Sequence, residues 1–180
     1  LSAAILERLR TDPRKGHSEM VVMFGKGHHP GFRVVRLFTP EYVPVCSPAL
    51  LGGRHPLRRP EDLAHHSLIH DDTTLGDAGS IAIGWPEWLR RSGLGHLDGS
   101  RGPHFSNGVL ALDAAQAGQG VMLAVRPLIR SHLERGSLVI PFDLGVASGS
   151  SYHLVMHEML ALRPTVAAFE AWITAEAAHP

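Results

Sequence analysis

The sequence predicts an α/β fold in which short strands alternate with helices around a mostly parallel sheet. Three observations predict it. Short apolar, β-branched runs recur along the chain as MVVMF, FRVVRLF, SLIH, VMLAV, SLVIPF and YHLVM. Helical segments between them open with proline, at Pro60, Pro86, Pro127 and Pro164, where a missing N–H costs nothing in the first turn. Gly93 and Gly136 stand where left-handed residues close two of those helices. Strands and helices alternating at this spacing form βα units.

The elements follow in order. LSAAILERLR puts Leu1, Ile5, Leu6 and Leu9 near one face of a short amphipathic helix. MVVMF is apolar throughout and FRVVRLF nearly alternates, so both read as strands. EYVPVCSP is extended, but its two prolines suit a crossing segment better than a central strand. RPEDLAHH and WPEWLRRSG are proline-opened helices, with Trp85 and Trp88 as core anchors of the second. TTLGDAGS reads as a loop, and RPLIRSHLERG as a further helix. GVASGSS reads as a flexible return crossing before a last strand, YHLVM, and a last helix, RPTVAAFEAWITAEAA.

Composition removes several function classes. The 180 residues make one sizeable domain or two small lobes. Lys+Arg 17 balances Asp+Glu 17, so the chain lacks the basic footprint of a protein that grips nucleic acid by itself. The single cysteine, Cys46, forms no internal disulfide, and nothing marks an oxidising compartment. The first residues lack the pattern of a secretory signal, and no run approaches the roughly 20 apolar residues of a membrane span. The chain reads as soluble and cytoplasmic.

FGKGHHPG, after MVVMF, has the look of a phosphate loop and fails both tests. A Walker A loop needs Lys followed by Ser or Thr, and Lys26 is followed by Gly27. A dinucleotide fingerprint needs a third glycine and a helix start, and here Pro30 and a strand follow. The segment reads as a strand-to-strand turn whose glycines permit positive φ. Among the 13 histidines, the run HHSLIH gives His66 and His70 helical metal spacing, and the chain is expected to leave the helix between them. No metal site and no cofactor is expected. Cys46 reads as a buried structural thiol, and Ser47, Ser150 and Ser151 lack a nucleophile elbow. One helix start carries chemistry. In PHFSNGVLALDAAQAGQG, Ser106 and Asn107 are both strong N-caps, and the helix end they open is an anion site by geometry or an ordinary capped end.

In order and spacing these segments resemble the effector-binding domain of LysR-type transcriptional regulators, in the branch of the glycine-cleavage and β-lactamase regulators. The likeness runs from about Asp12 through MVVMFGKGHHPGF, RLFTPEYVPVCSPALL, PLRRPEDLAHHSLIHDD, WPEWLRRSGL, GPHFSNGVLALDAAQAGQGVMLAVRPLIRSHLERGSLVIPF and YHLVM to the closing helix. The resemblance implies a type-2 periplasmic-binding-protein-like fold of two α/β lobes joined by two crossing strands. Lobe I takes residues 1–44 and 152–180, and lobe II takes residues 45–151. It implies a non-enzymatic sensor that binds a small, anionic effector in the cleft between the lobes and assembles as a homo-oligomer. DNA would be reached only through a winged helix-turn-helix, which this stretch of sequence does not contain. LSAAILERLR is the one element read before MVVMF, so lobe I is expected to be incomplete, and Met23 stands where this branch often places arginine. The resemblance assigns effector contacts to Ser106, Asn107, His70, Val125, Arg126, Gly25 and Ser47. The alternatives are a solute-binding protein of the same fold, or an enzyme using Cys46 or a histidine.

Overall fold

The computed structural model describes residues 20–74 and 83–178. The helix read at Leu1–Arg10 and most of the TTLGDAGS loop lie outside them. The chain divides into two compact units, with boundaries at Thr39/Pro40 and Ser148/Gly149. The boundary drawn from sequence after residue 44 would cut through a strand; the contacts keep that strand whole, in the second unit.

In the first unit, β1 (Met20–Gly25), β2 (Phe32–Phe38) and β8 (Ser151–His157) form a sheet in the order β1-β8-β2. Both outer strands run antiparallel to β8, and so parallel to each other. The segment between them is therefore not a tight turn. Gly25 lies opposite Ser151 and Phe32 opposite His157, so Lys26–Gly31 must lead the chain back along β8. That is roughly 20 Å at about 3.4 Å per residue, which demands a nearly extended crossover. Gly27 has φ +72°, and a Cβ there would lie 2.4 Å from Nε2 of His153. The glycine lets the crossover lie flat against that ring.

On the other face, Leu154 and Met156 pack with Leu160 and Val166, joined by Val35, Leu37, Phe169 and Ile173. Leu160 comes from α4 (Glu158–Ala161), and Val166, Phe169 and Ile173 come from α5 (Pro164–Ala177), which its proline opens. Val166, Phe169 and Ile173 recur at three- and four-residue steps, which turns one stripe of α5 onto the sheet. Arg33 of β2 holds Glu170 of α5 through two N–H donors.

The second unit contains β3 (Glu41–Val45), β4 (Leu68–Asp71), β5 (His104–Phe105), β6 (Val121–Val125) and β7 (Val146–Ala147), in the order β5-β4-β6-β3-β7. Only the β4–β5 and β4–β6 pairings are parallel. With the antiparallel pairings of β3 to β6 and β7, the sheet is mixed rather than mostly parallel. EYVPV is paired on both sides, and Pro44 is tolerated by its position. Cys46 exchanges both backbone hydrogen bonds with Val139, and Tyr42 pairs with Val146 on the same edge. Pro44 has the parity of both residues and falls in the gap between those pairings, where no N–H is called for.

Three helices cover this sheet: α1 (Trp85–Arg91), α2 (Gly108–Gln116) and α3 (Arg130–Glu134). Ala111 and Ala115 of α2 pack with Val43, Val45, Ile69 and Met122. Gly93, Gly118 and Gly136 have φ of +79°, +75° and +66°, and each closes one of the three helices. In each case the next residue donates back five positions, as Leu94 does to Leu89. Pro60–His65 and Arg126–Ile129 form 3-10 helices instead of α-helices. SLVIPF contributes only the Val139 bridge and no strand. GVASGSS, expected to be flexible, is paired and buries alternate residues: it holds β7, Ser148 donates its N–H to the Pro40 carbonyl at 2.8 Å, and Ser150 is 3% exposed. Among the described residues no helix is long and apolar enough to cross a membrane.

Three wholly or partly buried histidines make stability depend on pH. Burial pushes the imidazoles of His66, His70 and His153 below the ordinary value of 6.5. At His153 a hydrogen bond with the Ser151 backbone pulls the other way, while nearby His29 and Arg36 add to the fall. The unfolded chain therefore takes up protons before the folded one does. Stability is complete above pH about 6.5 and falls as the pH drops further. Urea denaturation at several pH values between 8 and 5 is expected to show this slope, and a smaller slope for His153→Gln.

Candidate functional site

Parallel pairing of β4 with β5 places His70 beside His104, and their rings stack at 4.0 Å with 10° between planes. Each ring is oriented by a different acceptor. His70 Nε2–H donates to the Arg101 carbonyl at 3.1 Å, and His104 Nδ1–H donates to Asp72 Oδ1 at 3.0 Å. The first bond leaves Nδ1 of His70 as an acceptor. Burial lowers the His70 pKa and His104 adds to the effect, so the ring is neutral at pH 7.

Asp71 follows at the end of β4. Its Oδ1 accepts from both the N–H and the hydroxyl of Thr73. Its Oδ2 lies where a side chain on Gly108 would begin, 2.8 Å from a Cβ built there. Gly108 is the first residue of α2, so the protein's own carboxylate sits at the helix start that was read as an anion site. Asn107 is the cap, with Oδ1 accepting from the Val109 N–H at 2.9 Å. Asn107→Ala is expected to cost about 1 kcal/mol in urea unfolding. Ser106→Ala, at an exposed neighbour without that bond, is expected to stay within about 0.5 kcal/mol.

A cavity of about 240 Å³ opens beside the histidine pair. Ile69, Ile83, Trp85 and Leu123 form apolar walls, and Tyr42 and Pro86 close it further. The polar lining is His70, Asp71, Asp72, His104 and Ser100, and among the described residues no lysine or arginine reaches it. Trp85 is 1% exposed and Trp88 is fully buried. Their N–H groups donate to the carbonyls of Ile69 and Tyr42, each at 3.0 Å, and the rings meet edge to face at 5.6 Å. The two indoles are core anchors as expected, and one of them is also a cavity wall.

Of the residues assigned from sequence, only His70 lines this cavity. Ser106 and Asn107 lie beside it in the fold, through the contact of Asp71 with the start of α2. Ser47 is at the other end of α2, its N–H donating to the Ala115 carbonyl. The nine residues of α2 span about 13 Å and separate Ser47 from Asn107. Val125 is buried in β6 opposite Tyr42. Arg126 holds Asp143 at 2.6 Å and Glu41 at 3.4 Å, so its charge is already matched. Gly25, the last residue of β1, belongs to the first unit. Sequence reasoning missed Asp71, Asp72, His104 and Trp85 as cavity residues. The acidic pair closing SLIHDD was a legible signal; the approach of His104 depends on a long-range pairing and was not.

Cys46 is fully buried, and burial pushes its thiol up to about 11. Among the described residues, no three of His, Cys, Asp and Glu gather in a way that could hold a metal ion.

Comparison with known proteins places the chain in a family. Residues 2–178 match the LysR substrate binding domain. The glycine cleavage system transcriptional activator of Escherichia coli K12 is 40% identical over 160 residues, covering 89% of this chain and 50% of that protein. Its homologue in Haemophilus influenzae is 31% identical over 155 residues, covering 86% of this chain and 48% of that one. The effector domain of the transcriptional regulator AmpR of Pseudomonas aeruginosa superposes with a TM-score of 0.66 at 27% identity, covering 95% of this chain and 78% of that domain. The AmpR effector binding domain from Citrobacter freundii shares the fold, with a TM-score of 0.69 at 22% identity over 96% of this chain and 81% of its own. The chain spans about half the length of the curated relatives it matches.

Proposed function

The chain belongs to the LysR substrate-binding domain family, and from that premise we propose that it is the effector-sensing part of a transcription regulator. The cavity beside His70 receives a small molecule, and the bound state changes how the parent protein acts at its promoter. The observation that carries this reading is the cavity itself: concave, mostly apolar, and edged by a few oriented polar groups. DNA contact belongs to a winged helix-turn-helix elsewhere in the parent, in keeping with the length of the relatives. The working form is a cytoplasmic homo-oligomer.

No chemistry is done on the effector. A fully buried thiol whose pKa is pushed up to about 11 is not a nucleophile at pH 7. The relatives named above are regulators, which supports this reading over a solute carrier or an enzyme.

The test is a chimaera in which this chain replaces the matched half of the Escherichia coli activator. It is expected to occupy that activator's operator and to change transcription when a ligand of the isolated chain is added. Output that ignores every ligand the isolated chain binds would refute the sensor reading.

A further inference from the structure

The helix start that was read as an anion site already faces a carboxylate of the protein, and the nearby arginine is paired. The carboxylate of Asp71 occupies the start of α2, and Arg126 is matched by Asp143 and Glu41. What remains at the cavity is rich in acceptors. His70 presents Nδ1, because its Nε2–H is committed to Arg101. Asp71 and Asp72 bring carboxylates, and the Ser100 hydroxyl is turned to Asp98. The Arg101 guanidinium is spent on the carbonyls of Leu63, Ala64 and Asp98. An anion brought here would meet two like charges and, among the described residues, no lysine or arginine, which is unfavourable in a partly desolvated site.

The donor set does not suit a metal ion, since no three ligating side chains converge among the described residues. The apolar walls call for a carbon body at the other end of the ligand. At about 240 Å³ the cavity is larger than the roughly 150 Å³ that holds benzene. That leaves room for a ring and a short arm, about nine non-hydrogen atoms in all.

We infer that the cavity between Trp85 and the His70–His104 pair takes an organic ammonium: a protonated amine facing Asp72 and His70, on a compact apolar body lying against Ile83, Trp85 and Leu123. This deepens the sensor reading and rests on the cavity being its effector pocket. It reverses the charge of ligand expected from the sequence.

The experiment is calorimetric titration of the chain with three molecules of similar shape: phenethylamine, 3-phenylpropionate and 3-phenylpropanol. The amine is expected to bind at least tenfold more tightly than the acid or the alcohol. Asp72→Asn is expected to weaken the amine about tenfold, and Leu123→Trp, which fills the cavity, to abolish binding. Should Leu123→Trp fold poorly, the indole N–H resonances of the parent chain report instead: Trp85 is expected to shift on titration and exposed Trp172 to stay put. An acid that binds as tightly as the amine overturns the inference, as does an amine that leaves Trp85 unmoved or fails to bind at millimolar concentration. Acid binding that is lost in Leu123→Trp overturns only the charge and keeps the pocket. A chimaera deaf to a bound amine overturns the sensor reading and keeps the charge.

Discussion

Alanine at Gly102 is expected to remove most of the stability of the second unit. Gly102 has φ +111°, a conformation that residues with a Cβ rarely adopt. A Cβ there would lie 2.0 Å from the Leu68 carbonyl oxygen and 2.8 Å from its carbon, and these are backbone atoms that cannot swing aside. Leu68 opens β4 and is fully buried, so a shift at that point is passed to the sheet. The same segment aligns the site, because His70 N–H donates to the Pro103 carbonyl at 2.9 Å just before His104 pairs with His70. Backbone strain of about 1–3 kcal/mol and overpacking of similar size add to about 3–5 kcal/mol. That is a large part of the 5–15 kcal/mol typical of a domain. Gly93→Ala is the control: its φ is also positive, at +79°, but nothing lies within 4 Å of the added carbon. It is expected to cost about 1 kcal/mol. Urea unfolding followed by circular dichroism decides, and equal losses in the two variants would contradict the account.

This contrast shows what kind of information the sequence exposes. Local rules were readable because a few neighbouring residues set them. Gly93 and Gly136 close their helices where expected, Pro164 opens α5, and one of the two cap candidates, Asn107, is the cap. MVVMF, FRVVRLF, SLIH, VMLAV and YHLVM all contain strands. Pairing partners were not readable, and the failures follow from that. Pro44 argued against a paired strand until its gap in the ladder was visible, and Val139 makes a single bridge because only Cys46 is opposite it. FGKGHHPG was correctly refused as a phosphate loop. Its true task, crossing β8 over His153, depends on a strand more than a hundred residues later in the chain. The family and fold were legible from the order of the segments. The cavity was legible only in part: His70 and the following aspartates are adjacent in sequence, whereas Trp85, His104 and Leu123 reach it from four separate stretches of chain taken with Tyr42.

Removing the Trp85 indole is expected to be nearly as costly as Gly102→Ala, and to act on the cavity as well as on the fold. The side chain is 1% exposed, so Trp85→Ala opens a large void under α1 and is expected to lose about 3–5 kcal/mol. Part of that loss is polar. The Ile69 carbonyl accepts the indole N–H at 3.0 Å and would be left short of a partner beside the core. Trp88 makes the matching bond to Tyr42, so the two indoles tie α1 to β4 and β3 separately. Trp85→Phe separates the two contributions. It keeps most of the apolar volume, gives up the hydrogen bond, and is expected to cost about 1–3 kcal/mol while leaving a folded protein. In that folded variant the cavity keeps Asp71, Asp72 and His70 but loses part of one wall. Phenethylamine is therefore expected to bind several-fold more weakly to Trp85→Phe, while its preference over 3-phenylpropionate is unchanged, because the selecting charges are untouched. Thermal melts and paired titrations of the two variants give both quantities. If Trp85→Phe kept affinity but lost the preference for the amine, the indole rather than the aspartates would be selecting the charge, and the carboxylates would be bystanders at the rim.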